Sequence, residues 1–589
     1  MRRSTSAAAA PARAPTAAPS WREGGRALLA LLLVALALKL AAALTVEDGD
    51  LLAKYPTSDA QYYVERARGL LGLQADPLAH EPYHLPPLYP WVLASVPGVQ
   101  TGSWVGVRVL QALAGTLALA GVYRLARRRL SRTAALVAVG LVALYAPLTF
   151  YETRLLGDSL AFDLLVGLLV AADALADRGG AWRAALVGAL TGLVCLLRPQ
   201  ALLLVPALAV WAATLPRRPW LPLLLAAAAT IAPATLHNWR SSGELIVVSD
   251  NGGVNLWLAN TGPVSGTFTT VDPAFGDIAM QARAAQAEAE SEAGRPLQPG
   301  EVSSWLSRAA LAEVAAHPGV FLQRVGQRAR ALIESFETDV TCFPAVEIGL
   351  SPVLRLLVLP FGVLLGLWAA AGWLGARLAR APRLPGLAVA LMVVGTALLF
   401  FHYSRFRLPL VPLLAIGGAA SWDRLRAGPV APGRIAGALV AGVGVAALSL
   451  LPAPHHATTR ANGWTSIGNA RLSNLQGRDV AGAALALAEA ERALAESPGF
   501  VRAELLAARA CLPLGRLAEA QRHVDAVLAA EPNYPQALVQ LALIKAIDVP
   551  DNPHRDPAGA RALLARLRPM VAQDPSIAEG VALLEQMLR

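Results

Sequence analysis

Long apolar runs constrain the fold of this chain more than any other feature of its sequence. A helix that crosses the hydrocarbon core of a bilayer needs about 20 predominantly apolar residues. About eleven segments approach that length, and we predict a membrane span at each: 27–45, 104–123, 133–150, 159–176, 184–197, 200–214, 220–236, 352–375, 385–402, 406–421 and 435–452. The fifth and sixth are short and are separated by Arg198-Pro199, so they could be two thin spans or one re-entrant hairpin.

Composition excludes several classes of protein. Of the 589 residues, 55% are hydrophobic and 16% are charged, whereas soluble domains carry about 25% charged residues. A soluble enzyme, a disordered chain and a coiled coil are therefore excluded. The net charge of +10 comes almost entirely from arginine and is not collected on one exposed domain, so we expect no nucleic-acid partner. The Cys and His spacing predicts neither a disulfide framework nor a metal site, and we expect no cofactor, although acidic oxygens could still bind a divalent ion.

The arginines predict the orientation of the spans. Basic residues concentrate in the N-terminal tail and in alternate short loops, such as 124–132 and 377–383, and these regions are expected to face the cytoplasm. Residues 1–26 would form a disordered cytoplasmic tail, and 27–452 the membrane domain. The larger segments 46–103 and 237–351 would be external loops, and the C-terminus would also lie outside.

The C-terminal segment 457–589 is predicted to be a helical domain outside the membrane. Ala520 and Pro532 lie 34 residues after Ala486 and Pro498. That period, with small residues between helices and a proline at the end of the second helix, resembles tetratricopeptide repeats. Two or three such units seldom stand alone, so we expect the tail to pack on the membrane domain or on a protein partner.

Several short motifs occur in order along the membrane domain. Their shared feature is a charged or proline-rich group at the predicted outer end of a span. They are Asp59-x-x-x-Tyr63, Pro86-Pro-Leu-Tyr-Pro90, Leu155-Leu-Gly-Asp158, Leu197-Arg-Pro199, the segment 249–260, and Arg405-Phe-Arg407-Leu-Pro409. Together they resemble the GT-C superfamily of integral-membrane glycosyltransferases. The bacterial family 39 type, similar to protein O-mannosyltransferases and aminoarabinose transferases, matches best.

The resemblance implies a fold, a location and a reaction. The fold would be mainly α: a GT-C type helix bundle with the tetratricopeptide-like domain appended, in the bacterial inner membrane. Segment 249–260 would be strand-like. The reaction would be inverting transfer of a hexose or pentose from a polyprenyl phosphate to a lipid, glycan or protein acceptor on the outer face.

Two carboxylates are the predicted catalytic residues. A carboxylate at the point of attack can act as a general base for the acceptor hydroxyl, and Asp59 is our candidate. Asp158, at the start of the fourth span, is the second candidate. Several relatives carry an Asp-Glu pair in the first loop, but here Ala60 follows Asp59.

Four cations are the predicted contacts of the donor phosphate. The leaving phosphate needs positive charge rather than an acid, and the planar fork of arginine matches its oxygens. Arg405 and Arg407 would form the principal clamp, with His84 and Arg198 as weaker contacts.

Each of these residues also has an ordinary structural explanation. The two aspartates could stabilise helix N-termini, the arginines could reach lipid headgroups, and His84 could be a plain loop residue. Glu152 and Arg154 could form a local surface pair.

Three other functions compete with the GT-C interpretation. An O-antigen ligase or polymerase would carry its main external loop later in the chain. A transporter would place polar residues near the bilayer midplane and often contains repeated halves, which this sequence lacks. In an assembly scaffold, the tail would bind partners and the membrane domain would be inert.

Overall fold

The computed structural model describes residues 25–76, 78–262, 278–376, 383–474, 479–550, 552–572 and 574–589. Within these ranges every regular element is helical. The predicted disordered tail lies almost entirely outside the described residues.

The helices up to residue 449 are α1 (Gly25–Gly49), α2 (Leu51–Lys54), α3 (Ser58–Leu70), α4 (Leu88–Ser95), α5 (Val105–Arg127), α6 (Arg132–Ala143), α7 (Ala146–Glu152), α8 (Asp158–Arg178), α9 (Ala181–Cys195), α10 (Leu204–Ala213), α11 (Trp220–Ser242), α12 (Gly252–Thr261), α13 (Ile278–Ala293), α14 (Pro299–Ala316), α15 (Pro318–Ile333), α16 (Pro344–Glu347), α17 (Phe361–Trp373), α18 (Arg383–Leu399), α19 (Val411–Arg426) and α20 (Pro432–Ser449). The tail contains α21 (Pro454–Ser473), α22 (Val480–Glu496), α23 (Val501–Cys511), α24 (Leu517–Ala530), α25 (Pro535–Ala546), α26 (Pro557–Leu567) and α27 (Ala578–Met587). Short 3-10 helices cover Pro199–Leu203, Ile348–Leu350, Leu354–Leu356, Ser404–Leu410, Arg568–Ala572 and Pro575–Ile577.

Among the described residues, six helical segments are long and apolar enough to cross a membrane, and the pair α6 and α7, bent by 57°, is a seventh if it forms one broken span. Three shorter apolar helices lie at 181–195, 199–213 and 384–399. Helix is present in each of the eleven predicted segments. The predicted fold class, a mainly α polytopic membrane protein, is confirmed. The number of spans and their sidedness stay predictions.

Glycine lets two of the apolar helices approach closely. Gly366 of α17 lies against the backbone oxygen of Gly442 in α20, so closely that a β-carbon would overlap it. Such small-residue contacts are the usual means of packing helices in a membrane, where apolar burial alone gives little preference for one partner.

The predicted external loops are themselves helical. The first contains α2 to α4 and the second α12 to α16. The expectation of a strand-like stretch at 249–260 is wrong, because α12 begins at Gly252. Gly253 lies directly against the backbone of Ser303 in α14, with no room for a side chain, so this glycine serves helix packing.

The first tail helix packs on both external loops. Ile467 and Ala470 of α21 share an apolar cluster with Leu52, Phe343 and Val346. Helices α22 to α25 then pack each on the one before, and α26 and α27 pack on α25. This helical stacking is what a repeat domain requires, and the assignment to tetratricopeptide repeats stays a prediction.

A cysteine at position 548 tests the predicted orientation of the tail. The three native cysteines are buried, whereas Asp548 is 75% exposed. We expect a membrane-impermeant maleimide to label Asp548→Cys on intact cells and to leave Ala427→Cys, an exposed position after α19 on the predicted cytoplasmic side, unlabelled until the cells are opened. Labelling in the reverse order would contradict the topology.

Candidate active site

One large cavity lies where the two predicted external loops, the apolar helices and the tail meet. Its volume is about 1890 Å³. Four of the six predicted site residues line it, namely Asp59, His84, Arg198 and Arg405, whereas Asp158 and Arg407 do not.

Asp59 reaches the cavity from the first turn of α3. The helix begins at Ser58, whose φ of 53° is uncommon for a residue with a side chain. The Oδ2 atom of Asp59 accepts hydrogen bonds from Arg405 Nη2 at 3.0 Å and from Thr341 Oγ1 at 3.2 Å. Both bonds use the same oxygen, so Oδ1 has no hydrogen bond to the described residues. The side chain is 18% exposed, and this second oxygen is available to a ligand.

Arg405 is the centre of a cluster of carboxylates. It lies in the 3-10 helix before α19, and its side chain is 5% exposed. Besides Asp59, its guanidinium faces Asp158, with Nε 3.9 Å from Oδ1, and Asp339, with Nε 3.6 Å from Oδ2. The rings of Tyr403 and Phe406 lie 4.9 and 5.7 Å from its central carbon, within the range of cation–π attraction. One cation therefore links three carboxylates from distant parts of the sequence.

Asp339 is the acidic residue of this cluster that the sequence analysis missed. It is fully buried in the loop after α15. Its Oδ1 accepts the backbone N–H groups of Val340 and Thr341, and its Oδ2 accepts the hydroxyl of Tyr151 at 2.9 Å. The signal available in the sequence was the acidic run Glu334-x-x-Glu337-x-Asp339, just before the eighth predicted span.

Arg198 and Asp158 form an ion pair beside this cluster. Arg198 occupies the break between α9 and the following 3-10 helix, where Pro199 prevents the first helix from continuing. Its side chain is 21% exposed and that of Asp158 is 3% exposed. Asp158 is the first residue of α8 and lines only a small adjoining cavity, together with both arginines. It is placed to hold the arginines rather than to contact a ligand in the main cavity.

Arg407 does not line the main cavity. It is fully buried, donates from Nη2 to Glu337 Oε1 at 2.8 Å, and stacks over Phe361 at 4.0 Å. It also donates to the backbone oxygens of Leu332 and Glu334. These contacts at the end of α15 favour a structural role, and the predicted part of Arg407 in a phosphate clamp stays a prediction.

Glu152 and Arg154 are also placed differently from the sequence expectation. Both are buried, and they pair with different partners rather than with each other. Glu152 pairs with Lys39 of α1. Arg154 pairs with Asp50 and with Glu347, whose Oε2 lies 2.9 Å from Nη1.

His84 lines the cavity, and a hydrogen bond to Asp250 orients its imidazole. Its Nδ1 donates to Asp250 Oδ1 at 2.7 Å, and Nε2 makes no hydrogen bond to the described residues. Burial alone would lower the pKa of His84, but the charge of Asp250 and the hydrogen bond to it, helped by Asp59 and Glu81, raise the pKa above its usual value. His84 therefore keeps its positive charge to a higher pH than an ordinary histidine does.

Among the described residues, the metal-type cluster is Glu334, His455 and His456, and none of the three lines the cavity. Both imidazole Nε2 atoms lie about 3 Å from Glu334 Oε2. The Nδ1 atom of His456 accepts the backbone N–H of Ala453, so its Nε2 carries the hydrogen and donates to Glu334 instead of offering a lone pair to a metal. We assign this cluster to anchoring the start of α21.

Part of the chain that carries these motifs is similar to a known protein family. Residues 84–237 match the family model described as dolichyl-phosphate-mannose-protein mannosyltransferase. The resemblance to GT-C proteins is confirmed. None of the curated proteins matches the chain.

Solved structures of the oligosaccharyltransferase AglB from Archaeoglobus fulgidus are also similar. The complex with an inhibitory peptide and a dolichol-phosphate is 16% identical, with a TM-score of 0.36, and the apo form is 15% identical, with a TM-score of 0.38. Each alignment covers 77% of this chain and 59% of the archaeal chain. The chain thus spans less than two thirds of the archaeal enzyme.

Arg407→Ala tests the structural assignment of that residue. The substitution leaves the Glu337 carboxylate buried without its cation, which typically costs about 3–5 kcal/mol. We expect a clearly lower thermal unfolding temperature in detergent, whereas Arg568→Ala, which removes an exposed ion pair, should change stability by less than about 1 kcal/mol. An Arg407→Ala protein as stable as wild type but impaired in donor binding would restore the clamp hypothesis.

Proposed function

We propose that this protein is a membrane glycosyltransferase that moves a sugar from a polyprenyl-phosphate donor to a hydroxyl group of an acceptor. The observation that carries the proposal is the pairing of chemical groups on one cavity: the Asp59 carboxylate, with an oxygen left open, beside the guanidiniums of Arg198 and Arg405. A base and a phosphate-binding pair are what this reaction requires.

The reaction is a single displacement at the anomeric carbon. The acceptor oxygen forms a bond to that carbon while the bond from the carbon to the phosphate oxygen breaks. Asp59 takes the hydroxyl proton, and the electron pair leaves with the polyprenyl phosphate, whose charge Arg198 and Arg405 stabilise. Attack opposite to the leaving group inverts the anomeric configuration.

The ion pair between Asp59 and Arg405 would link donor binding to access of the acceptor. Without donor, Arg405 Nη2 donates to Asp59 Oδ2. A phosphate oxygen that takes this N–H would release Asp59 from the arginine. The carboxylate is then held by Thr341 alone among these partners and can turn towards the acceptor hydroxyl.

A second cavity supports a lipid-linked donor. It has a volume of about 920 Å³ and lies between α10 and α11, with a lining that is almost wholly apolar. Leu202 lines both this cavity and the main one. A polyprenyl chain in the apolar groove could thus carry its phosphate towards Arg198, four residues before Leu202.

The proposal includes a location and partners, taken from the resemblance and from the arginine pattern. The enzyme would reside in the bacterial inner membrane with the cavity on the outer face, and membrane lipid would supply the donor. The family model that matches is named for a protein acceptor, which makes a protein hydroxyl the first acceptor to test.

Asp59→Asn tests the proposed base. Asparagine keeps the shape of the side chain but removes the basic oxygen, and a general base contributes about 10²–10⁴-fold. We expect a folded protein in which transfer from a panel of radiolabelled polyprenyl-phosphate sugars to membrane protein acceptors falls by at least about 10²-fold.

Asp158→Asn is the matched control, since that carboxylate lies outside the main cavity. It should reduce transfer less than Asp59→Asn does. Near-normal transfer by Asp59→Asn, together with loss in Asp158→Asn or Asp339→Asn, would show that another carboxylate is the base. Absence of transfer by the wild-type protein from every donor would reject the proposed function.

The pH dependence of donor use tests the role of His84. Its pKa is raised above the usual value of about 6.5, so the cationic form persists above that pH and is lost as the pH rises through the raised pKa. The kcat/KM for donor should therefore fall on the alkaline side. His84→Gln should remove this limb, and Asp250→Asn should move it to lower pH. If His84→Gln shows the same fall in kcat/KM at alkaline pH as wild type, a contact between His84 and the donor phosphate is excluded.

A further inference from the structure

The first helix of the tail forms one wall of the cavity that contains Asp59. Four residues of α21 that line the cavity share small, uncharged polar side chains: Asn462, Ser466, Asn469 and Ser473. Their spacing of four, three and four residues places them along one face of the helix. We call this set the amide-hydroxyl stripe.

The stripe retains hydrogen-bonding groups that the other described residues do not use. The side chains of Asn462 and Ser466 are half-buried and make no hydrogen bond to the described residues. Asn469 uses its carbonyl oxygen to accept a hydrogen bond from Arg509 Nη1 at 2.8 Å, which leaves its two amide hydrogens for another acceptor. The adjacent side of α21 carries the apolar contacts, through Ile467 and Ala470, that hold the tail on the loops, and Ala470 also reaches the cavity. The helix therefore docks the tail along one side, and the stripe beside it presents hydrogen-bonding groups to the cavity.

We propose that the amide-hydroxyl stripe is the acceptor-binding surface and that it binds an extended polypeptide through main-chain groups. This inference rests on the proposed function. Eleven residues of helix separate the first and last members of the stripe, a rise of about 16.5 Å, which equals about five residues of extended chain. Asn and Ser side chains can each pair with peptide N–H and C=O groups. Main-chain recognition would admit different sequences around the reacting Ser or Thr.

Another part of the cavity lining favours a polypeptide over a glycan. Ala309, Ala312 and Ala316 of α14 line the same cavity beside Glu313, and these three alanines offer no hydrogen-bonding side chain. A polypeptide can direct its main-chain groups to the stripe and apolar side chains to these alanines. A glycan carries hydroxyls around every ring, and those that face the alanines would lose their partners unless water remained, which is unfavourable.

Binding without donor tests the proposal separately from catalysis. The probe is a short, unstructured, fluorescein-labelled peptide containing Ser and Thr, and the readout is fluorescence anisotropy with the full-length protein in lipid nanodiscs. We expect Asn462→Ala/Ser466→Ala/Asn469→Ala to bind at least about tenfold more weakly than wild type, because each lost hydrogen bond weakens binding severalfold. Thr458→Ala, an exposed position of the same helix outside the cavity lining, should bind like wild type.

A second variant separates binding from folding. The double variant Asn462→Ala/Ser466→Ala leaves the bond between Arg509 and Asn469 intact, so it should keep the wild-type unfolding temperature and still bind the peptide severalfold more weakly. Equal peptide affinity in wild type and both stripe variants, or no peptide binding by wild type, would overturn the proposal. Stripe-dependent binding of a labelled neutral oligosaccharide in place of the peptide would also overturn it and assign the surface to a glycan. Stripe-dependent peptide binding in a protein that transfers no sugar would uphold this inference and reject the proposed function.

Discussion

A guanidinium removed from water must be matched by negative charge, and Arg405 obtains its carboxylate partners from three distant parts of the chain. Asp59 comes from the first external loop, Asp158 from the start of α8, and Asp339 from the end of the second loop. Removing any one of these carboxylates would leave a buried charge poorly compensated, which is unfavourable in a low dielectric. The geometry of the candidate site is therefore tied to the relative positions of both loops and the membrane helices.

A second buried cation ties the same regions together at another point. Arg154, just after the bent pair α6 and α7, forms ion pairs with Asp50 at the start of the first loop and with Glu347 near the end of the second. Glu347 directly follows Val346, which packs together with Phe343 against the first helix of the tail. The buried pair of Arg154 and Glu347 is thus connected, through Val346, to the segment on which the tail packs over the cavity.

The sequence predicted the helical membrane architecture and four of the residues on the cavity because these depend on local patterns. A long apolar run predicts a membrane helix from its own composition. A proline such as Pro199 ends or begins a helix through its effect on residues next to it in the chain. The missed features depend on partners far along the chain. Arg405 and Arg407 have the same residue type and similar motif positions, yet two residues of 3-10 helix direct them to opposite surroundings, one to the cavity and one to Glu337. Asp339 could not be singled out among neighbouring acids until the fold brought it to Arg405.

The charge balance of the cluster bears on the proposed role of Asp59 as the base. Three carboxylates, Asp59, Asp158 and Asp339, face two guanidiniums, Arg198 and Arg405. Asp158 and Asp339 are buried and have other hydrogen-bond or ion-pair partners, so they neutralise the arginines without needing a ligand. Asp59 has the most exposed side chain of the three carboxylates and bonds through one oxygen only. Of the three carboxylates, Asp59 is therefore the one that the proposed donor phosphate would displace most easily from Arg405, because Asp158 and Asp339 have further partners in Arg198 and Tyr151.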